Sequence, residues 1–313
     1  MTKERIVIAL GGNAIQSGEA TASAQQEALK LTANQLIEIV KLGYQVAITH
    51  GNGPQVGNIL LQQINSDCSQ TPAMPLDTCG AMSEGMIGYW LDNEIDVVLH
   101  KNKMDKDVVA IVTRVEVDPC DQAFESPSKP IGPFYTEEEV IKQMEETGAV
   151  FIEDAGRGWR KVVPSPKPIS ILEHRIIKKL VDNGNIVISA GGGGIPVYRN
   201  DGEIIGVEAV IDKDYASEKL AELIDADILL ILTGVDYVFI NYNKPNQKAL
   251  VEVSVEEIKS YIEEGQFAKG SMLPKVEAAV QFVESKPGRK AIITSLEHAV
   301  DAMEGKYGTR IIS

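Results

Sequence analysis

Short apolar runs that end in glycine alternate along this chain with longer segments whose apolar residues recur at helical spacing. Residues 6–10 run into Gly11-Gly12-Asn13, residues 45–49 into His50-Gly51-Asn52-Gly53, and residues 186–188 into a tract that includes Gly191 to Gly194. β-branched runs bounded by turn formers read as buried strands. Between the first two, Leu29, Ala33, Leu36, Ile37 and Val40 mark one helix face, with Gly43 as its stop. Val56, Ile59, Leu60 and Ile64 mark a second helix, opened by Pro54 in a first turn that tolerates proline. A third helical stretch covers residues 82–95, and a strand covers 108–113. The spacing thus predicts a β-α-β opening, which favours a parallel pair.

From about residue 118 to residue 168 the pattern changes. Prolines cluster there, around a helix signalled by Thr136-x-x-Glu139. Lys129, Arg157, Arg160, Lys161 and Lys167 make the stretch cationic, and a long irregular insertion of this kind reads as a functional lid. Beyond it, Ser170-x-x-Glu173 predicts a helix with Ile176, Ile177, Leu180 and Val181 inward and Gly184 at its end. Asn200-Asp201-Gly202 predicts a hairpin turn. A strand at 207–211, a helix at 214–224 and a strand at 228–232 follow. Ser254-x-x-Glu257 caps another helix, and Pro274 opens the next, with Val276, Ala279, Val280 and Val283 buried. A strand at 291–294, a last helix and a final strand near Ile311 close the chain. Strands alternating with helices predict an α/β fold with a largely parallel central sheet, whose ligands sit beyond the strands' carboxyl ends. All three glycine loops fall there, and glycines let a ligand approach backbone N–H groups closely.

Composition narrows the ligand. The 313 residues carry a formal charge of −15 and no lysine- or arginine-rich run, which argues against nucleic acid as partner. Three cysteines without a C-x-x-C pair and four scattered histidines give no zinc pattern. No stretch approaches membrane-spanning length and no signal peptide is evident, so the expectation is a soluble, cytoplasmic protein. The loops lack G-x-x-x-x-G-K-[ST], and Gly51-x-Gly53-x-x-x-Gly57 has its last glycine one place late for a dinucleotide fold.

An anion site in an acidic protein needs cations gathered locally. Lys213-Asp214 lies at a strand–helix junction, where the ammonium could hold phosphate while the carboxylate orients it or a metal. A capping aspartate beside a surface lysine gives the same dipeptide. Lys275, just after Pro274, sits in a first helical turn, an end that favours negative charge unless an anion docks nearby. Lys129 is stiffly presented among the prolines of Ser126-Pro-Ser-Lys-Pro-Ile-Gly-Pro-Phe134.

These segments taken together resemble the carbamate kinases of the amino-acid kinase superfamily. The resemblance rests on Leu10-Gly-Gly-Asn-Ala14, His50-Gly-Asn-Gly-Pro-Gln-Val-Gly57, the Lys129 segment and Gly156-Arg-Gly-Trp-Arg-Lys-Val-Val-Pro164. It continues through Ala190-Gly-Gly-Gly-Gly-Ile-Pro196, Val210-Ile-Asp-Lys-Asp214 and Gly270-Ser-Met-Leu-Pro-Lys275. The seven occur in the family's order over nearly the whole chain, with no departure at a motif position. The resemblance implies an open three-layer α/β/α sandwich with a small protruding flap. Residues 1–117 would form mainly the acceptor lobe, 118–168 the flap and 169–313 mainly the nucleotide lobe.

It also implies reversible phosphoryl transfer between ATP and carbamate, with Mg²⁺ carried by ATP or ADP and no metal ligand from a protein side chain. Gly11, Gly12, Asn13, Gly51, Asn52 and Gly53 would hold carbamate and the moving phosphoryl group. Lys129, Lys213 and Lys275 would neutralise charge, and Asp214 would organise the lysines. Gly191, Gly192 and Gly193 would approach the same site and bind the nucleotide, whose pocket Thr233, Gly234, Asp236 and Tyr242 would line with Lys275. A homodimer that makes ATP in fermentative arginine breakdown, the arginine deiminase pathway, completes the implied picture. Carbamate is already deprotonated, so His50 reads as structural and not as a base. A kinase of the same superfamily with another small acceptor, or a nucleotide-binding regulator without turnover, are the alternatives.

Overall fold

The computed structural model describes residues 3–16, 18–153 and 158–313. It begins β1 (Arg5–Leu10), α1 (Ala22–Lys41), β2 (Gln45–His50), α2 (Gly53–Asn65), α3 (Leu76–Lys101) and β3 (Val108–Ala110). From β4 (Arg114–Val117) the chain leaves through β5 (Lys129–Tyr135), α4 (Glu137–Thr147), β6 (Val150–Glu153) and β7 (Trp159–Val163). It returns by β8 (Pro168–Ile171) and α5 (His174–Asp182). There follow β9 (Ile186–Ile188), β10 (Ile195–Asn200), β11 (Glu203–Gly206), α6 (Lys213–Leu223), β12 (Ile228–Thr233), β13 (Val238–Ile240), β14 (Lys248–Leu250) and β15 (Glu252–Ser254). The chain ends with α7 (Val255–Glu263), α8 (Met272–Ser285), β16 (Lys290–Ser295), α9 (Ala299–Met303) and β17 (Thr309–Ile312).

The central sheet runs β15-β17-β16-β12-β1-β2-β9-β3 and is parallel except between β16 and β17. Its middle strands are apolar on both faces because both faces are covered. Val7, Ala9, Leu229 and Ile231 pack with residues of α5, α6 and α8 on one side. Ile6, Ile8, Leu10, Leu230 and Leu232 pack with α1 and α3 on the other. This alternation produces the α/β/α layering. The strands up to β9 extend the sheet from β1 through β2, and those from β12 onwards extend it from β1 through β12. The strand order therefore reverses beside β1, where open sheets of this type take their ligands.

Both capping boxes, at Thr136 with Glu139 and at Ser254 with Glu257, are formed. The Asp201-Gly202 turn joins β10 to β11 with both residues at positive φ, the geometry of a tight hairpin turn. Other expectations need correction. Ser170 lies in β8, and the Glu173 carboxylate accepts from Arg114 N and Nε at 2.8 Å each, so α5 begins only at His174 without that box. Ile64 and Ile176 are exposed, while Ile177 and Val181 are buried. Residues 207–211 form no strand, because their N–H groups go to separate partners: Val207 N to Pro196 O, Ala209 N to Val207 O in a local turn, and Val210 N to Pro164 O. The strand predicted to end at Thr113 stops at Ala110, and α3 is longer than its apolar pattern suggested.

The excursion after β4 builds a separate sheet, β5-β7-β6, with α4 beside it. It meets the main body where β5 crosses α2. A Cβ on Gly57 would lie 2.5 Å from Gly132 Cα, so the two backbones touch with nothing between them. At the base of the excursion, Lys167 Nζ sits 3.0 Å from the centre of the Tyr215 ring of α6. Arg160 donates to Gly132 O, and Arg157 lies outside the described residues.

Candidate functional site

The loops after β12, β1, β2 and β9 meet at one edge of the sheet, and three cavities open there. A central chamber of about 320 Å³ lies between Gly11, Gly12 and Asn13 after β1 and Thr233, Gly234 and Asp236 after β12. A cavity of about 190 Å³ lies between the β5 strand and α2, walled by Gly51, Asn52, Gly53, Gly192 and Lys129. A third, of about 480 Å³, is lined by Val235, Phe239, Tyr242, Phe267 and Met272 and is mainly apolar. Lys275 lines all three, and Lys213 lines the first two. The three cavities thus form one track with these lysines at its junction.

The junction is an ion cluster. Asp214, 2% exposed, accepts from Lys213 Nζ at 2.5 Å and from Lys275 Nζ at 2.8 Å. Burial alone would raise its pKa, but the two ammoniums outweigh this and hold it below the ordinary aspartate value. Burial, opposed by Asp214 and reinforced by Lys275, lowers the pKa of Lys213. Lys129 belongs to a separate pair, donating to Asp212 Oδ2 at 2.5 Å. Asp212 Oδ1 in turn caps α6 by accepting from Asp214 N at 2.9 Å. At the junction itself three ammoniums face two carboxylates, a local excess of one positive charge that suits an anion, while Asp236 and Glu297 stand apart on the wall of the central chamber. Two helices start beside the junction, α2 behind Asn52 and α8 behind Ser271, and among the described residues neither cap side chain bonds its own helix. In α8, Leu273 N is bonded to Ala268 O and Pro274 has no N–H, so it is the first turn of α2 that stays open towards the 190 Å³ cavity.

The glycines differ in purpose. Gly51 lies beside the stem of Lys213, whose Cδ would make only an ordinary contact, 3.4 Å, with an added Cβ. Gly11 brings the end of β1 against β12, where a Cβ would meet Leu232 O at 2.7 Å. In the third loop the N–H groups of Gly191, Gly193 and Gly194 are already bonded to Glu84, Ala190 and Gly191. Gly192, at φ +66°, is the loop glycine that lines the 190 Å³ cavity, with its α-carbon pressed on the Asn52 amide. This loop therefore sits against Asn52 on the far side of the junction from the apolar cavity.

His50 is fully buried and faces another way. Its Nδ1 lies 2.8 Å from Gly51 O, and burial, only partly offset by that bond, pushes its pKa down to about 4. With Glu84 it lines a separate recess between α3 and β9, not the ion cluster. Glu84 moves in the opposite sense, up to about 8, because burial outweighs the two backbone N–H bonds it accepts. The folded chain therefore keeps the Glu84 proton between pH 4.5 and 8 while the unfolded chain releases it. Neutral His50 adds stability as pH rises, and about half a pH unit above 6.5 that gain is nearly complete. Between pH 6.5 and 8 the Glu84 contribution dominates, and stability is expected to fall by about 1 kcal/mol. Urea unfolding at the two pH values checks this, and Glu84→Gln should flatten the slope.

Tyr242 is about half exposed over the apolar cavity, beside Phe239 with ring centres 6.0 Å apart. Sequence reasoning did not single out Asp212, Ser271, Phe239, Phe267 or Met272. Of these, Asp212 was detectable as a capping residue just ahead of Lys213-Asp214. The described residues contain no group of three or more His, Cys, Asp or Glu placed to hold a metal ion.

Residues 4–295 match the amino acid kinase family. A carbamate kinase 2 of Staphylococcus aureus is 58% identical over 310 residues, covering 99% of each chain. The chain belongs to the carbamate kinases, within the amino acid kinase family. The structure of Giardia lamblia carbamate kinase bound to AMP-PNP superposes with a TM-score of 0.92 at 47% identity, over 99% of this chain and 98% of that one. A UMP kinase from Bacillus anthracis shares the fold alone, with a TM-score of 0.55 at 18% identity, over 100% of this chain and 97% of that one. In a carbamate kinase whose Lys129 comes from β5, the Gly57–Gly132 contact sets how far that strand descends. Gly57→Ala is expected to push β5 off α2 at a cost of about 1–3 kcal/mol and to lower kcat/KM about tenfold. Steady-state kinetics check it, and an unchanged kcat/KM would count against that role.

Proposed function

We propose that this kinase transfers a phosphoryl group reversibly between ATP and carbamate, yielding ADP and carbamoyl phosphate. The observation that carries the reading is the Lys213–Asp214–Lys275 cluster at the junction of the three cavities. The base of the nucleotide would lie in the apolar cavity, its phosphates would enter the central chamber, and carbamate would occupy the 190 Å³ cavity under Lys129. Gly11, Gly12, Asn13, Gly51, Asn52 and Gly53 would hold the acceptor and the moving phosphoryl group, with Gly192 against Asn52. Thr233, Gly234, Asp236 and Tyr242 would line the nucleotide side.

The obstacle to reaction is repulsion between two anions, and phosphoryl transfer depends mainly on in-line positioning and charge stabilisation. Lys213 and Lys275 supply positive charge at the transferring group, and Asp214 keeps both aimed at the same point. Carbamate needs no base, consistent with a neutral His50 outside the cluster. Mg²⁺ would arrive with the nucleotide and neutralise its phosphate oxygens. Asp236 and Glu297 are the carboxylates on the wall of the central chamber, a donor set suited to an ion that keeps waters and phosphates as its main ligands.

The likeness to carbamate kinases supports a cytoplasmic role in arginine breakdown by the arginine deiminase pathway, running towards ATP. Three free cysteines are in keeping with a reducing compartment, and among the described residues no helix is long and apolar enough to cross a membrane. A homodimer is supported by the exposed apolar face of Met82, Tyr89 and Val97 on α3 beside Val112. The purified protein should form ATP from ADP and carbamoyl phosphate with Mg²⁺. ADP binding without ATP formation, or turnover only with another phosphoryl donor, would contradict the assignment.

A further inference from the structure

Asn52 occupies the N-cap position of α2, and asparagine there ordinarily turns its side-chain oxygen back onto the helix's own N–H groups. Among the described residues it makes no such bond. Its Nδ2 instead donates to Ser83 Oγ of α3 at 2.7 Å, a contact buried on both sides. Ser83 has a single hydroxyl hydrogen, and this goes to Gly80 O at 2.7 Å. Its oxygen can therefore only accept from Asn52, which fixes which end of the amide faces α3. On its other side the amide is closed in by Gly192, where a Cβ would lie 2.1 Å from Nδ2. The first turn of α2 is left without a side-chain cap. Its residues Gly53 and Gln55 line the cavity under Lys129, and the next N–H, of Val56, is already bonded to Asn52 O.

We propose that Ser83 is a positioning residue for the acceptor substrate. By holding the Asn52 amide away from its own helix, it keeps the Gly53 and Gln55 N–H groups available to the oxygens of carbamate or carbamoyl phosphate. The inference rests on the reading that this cavity takes the carbamoyl group. Without the Ser83 hydroxyl, the Asn52 side chain is free to swing round and cap α2 itself. The substrate must then displace an intramolecular acceptor before it can bind. The capped helix is the more stable one, so here local stability is given up to keep an anion site open.

Ser83→Ala separates this from a merely structural role, because the two differ in which quantities move. Assayed as ATP formation from ADP and carbamoyl phosphate, the variant is expected to show a KM for carbamoyl phosphate raised about five- to tenfold. The KM for ADP should stay within about twofold, since Asn52 lines the acceptor cavity and not the central chamber. The melting temperature should be unchanged or higher. Unchanged KM values in an active enzyme would overturn the role of Ser83 alone, as would a lowered melting temperature with both KM values raised together. No ATP formation by the unmodified protein would overturn the reading of the cavity and the Ser83 role with it.

Discussion

Asp214→Ala is expected to reduce turnover about a thousandfold and to destabilise the fold by about 3–5 kcal/mol. Asp214 is buried between two ammoniums, and its removal leaves Lys213 and Lys275 facing each other without a counter-charge. Burial already depresses the Lys213 pKa, and Asp214 is the largest influence raising it again. Without that carboxylate, one of the two lysines gives up its proton or moves away. The site then loses both the charge and the geometry that bring two anions together. Kinetics and urea unfolding of Asp214→Ala and Asp214→Asn measure the two effects separately. The Asn variant keeps the shape but not the charge, so near-normal turnover in it would contradict the electrostatic role.

Lys213→Ala should cost about a hundred- to thousandfold in turnover, the usual loss when one preorganised stabilising group is removed. The lysine lines both the central chamber and the acceptor cavity, and its stem passes beside Gly51. Its removal leaves Asp214 paired with Lys275, so the fold should suffer much less than in Asp214→Ala. The loss should appear mainly in kcat, because the interaction strengthens as charge develops on the transferring group. Turnover close to that of the unmodified enzyme would remove Lys213 from the mechanism.

The parts of this structure that were legible in the sequence are those determined locally. The apolar runs of β1, β2, β9 and β12 needed no context, because burial on both faces of a parallel sheet dictates their composition. The capping boxes at Thr136 and Ser254 were readable for the same reason. The identical pattern at Ser170 and Glu173 failed because Arg114, distant in sequence, captures the glutamate. Residues 207–211 looked like a strand, but apolar composition does not reveal that their N–H groups are divided among Pro196, a local turn and Pro164. The lysines of the site stood out by their placement at turns and helix starts. Their partners were only partly visible. Asp214 adjoins Lys213, whereas the Lys129–Asp212 pair and the Asn52–Ser83 bond join residues 83 and 31 positions apart. Only the fold brings these together. The glycine tract at 191–194 shows the same limit: its composition pointed to backbone contacts with a ligand, while three of its N–H groups are bonded within the protein.

The division of the site about Lys213, Asp214 and Lys275 is open to one direct measurement, a crystal structure of the protein with bound ADP. The base is expected among Phe239, Tyr242, Phe267 and Met272, and the terminal phosphate beside Lys213 and Lys275, with the cavity under Lys129 free of nucleotide. A base seated against Asn52 and Lys129, or a terminal phosphate beyond reach of both lysines, would contradict that division.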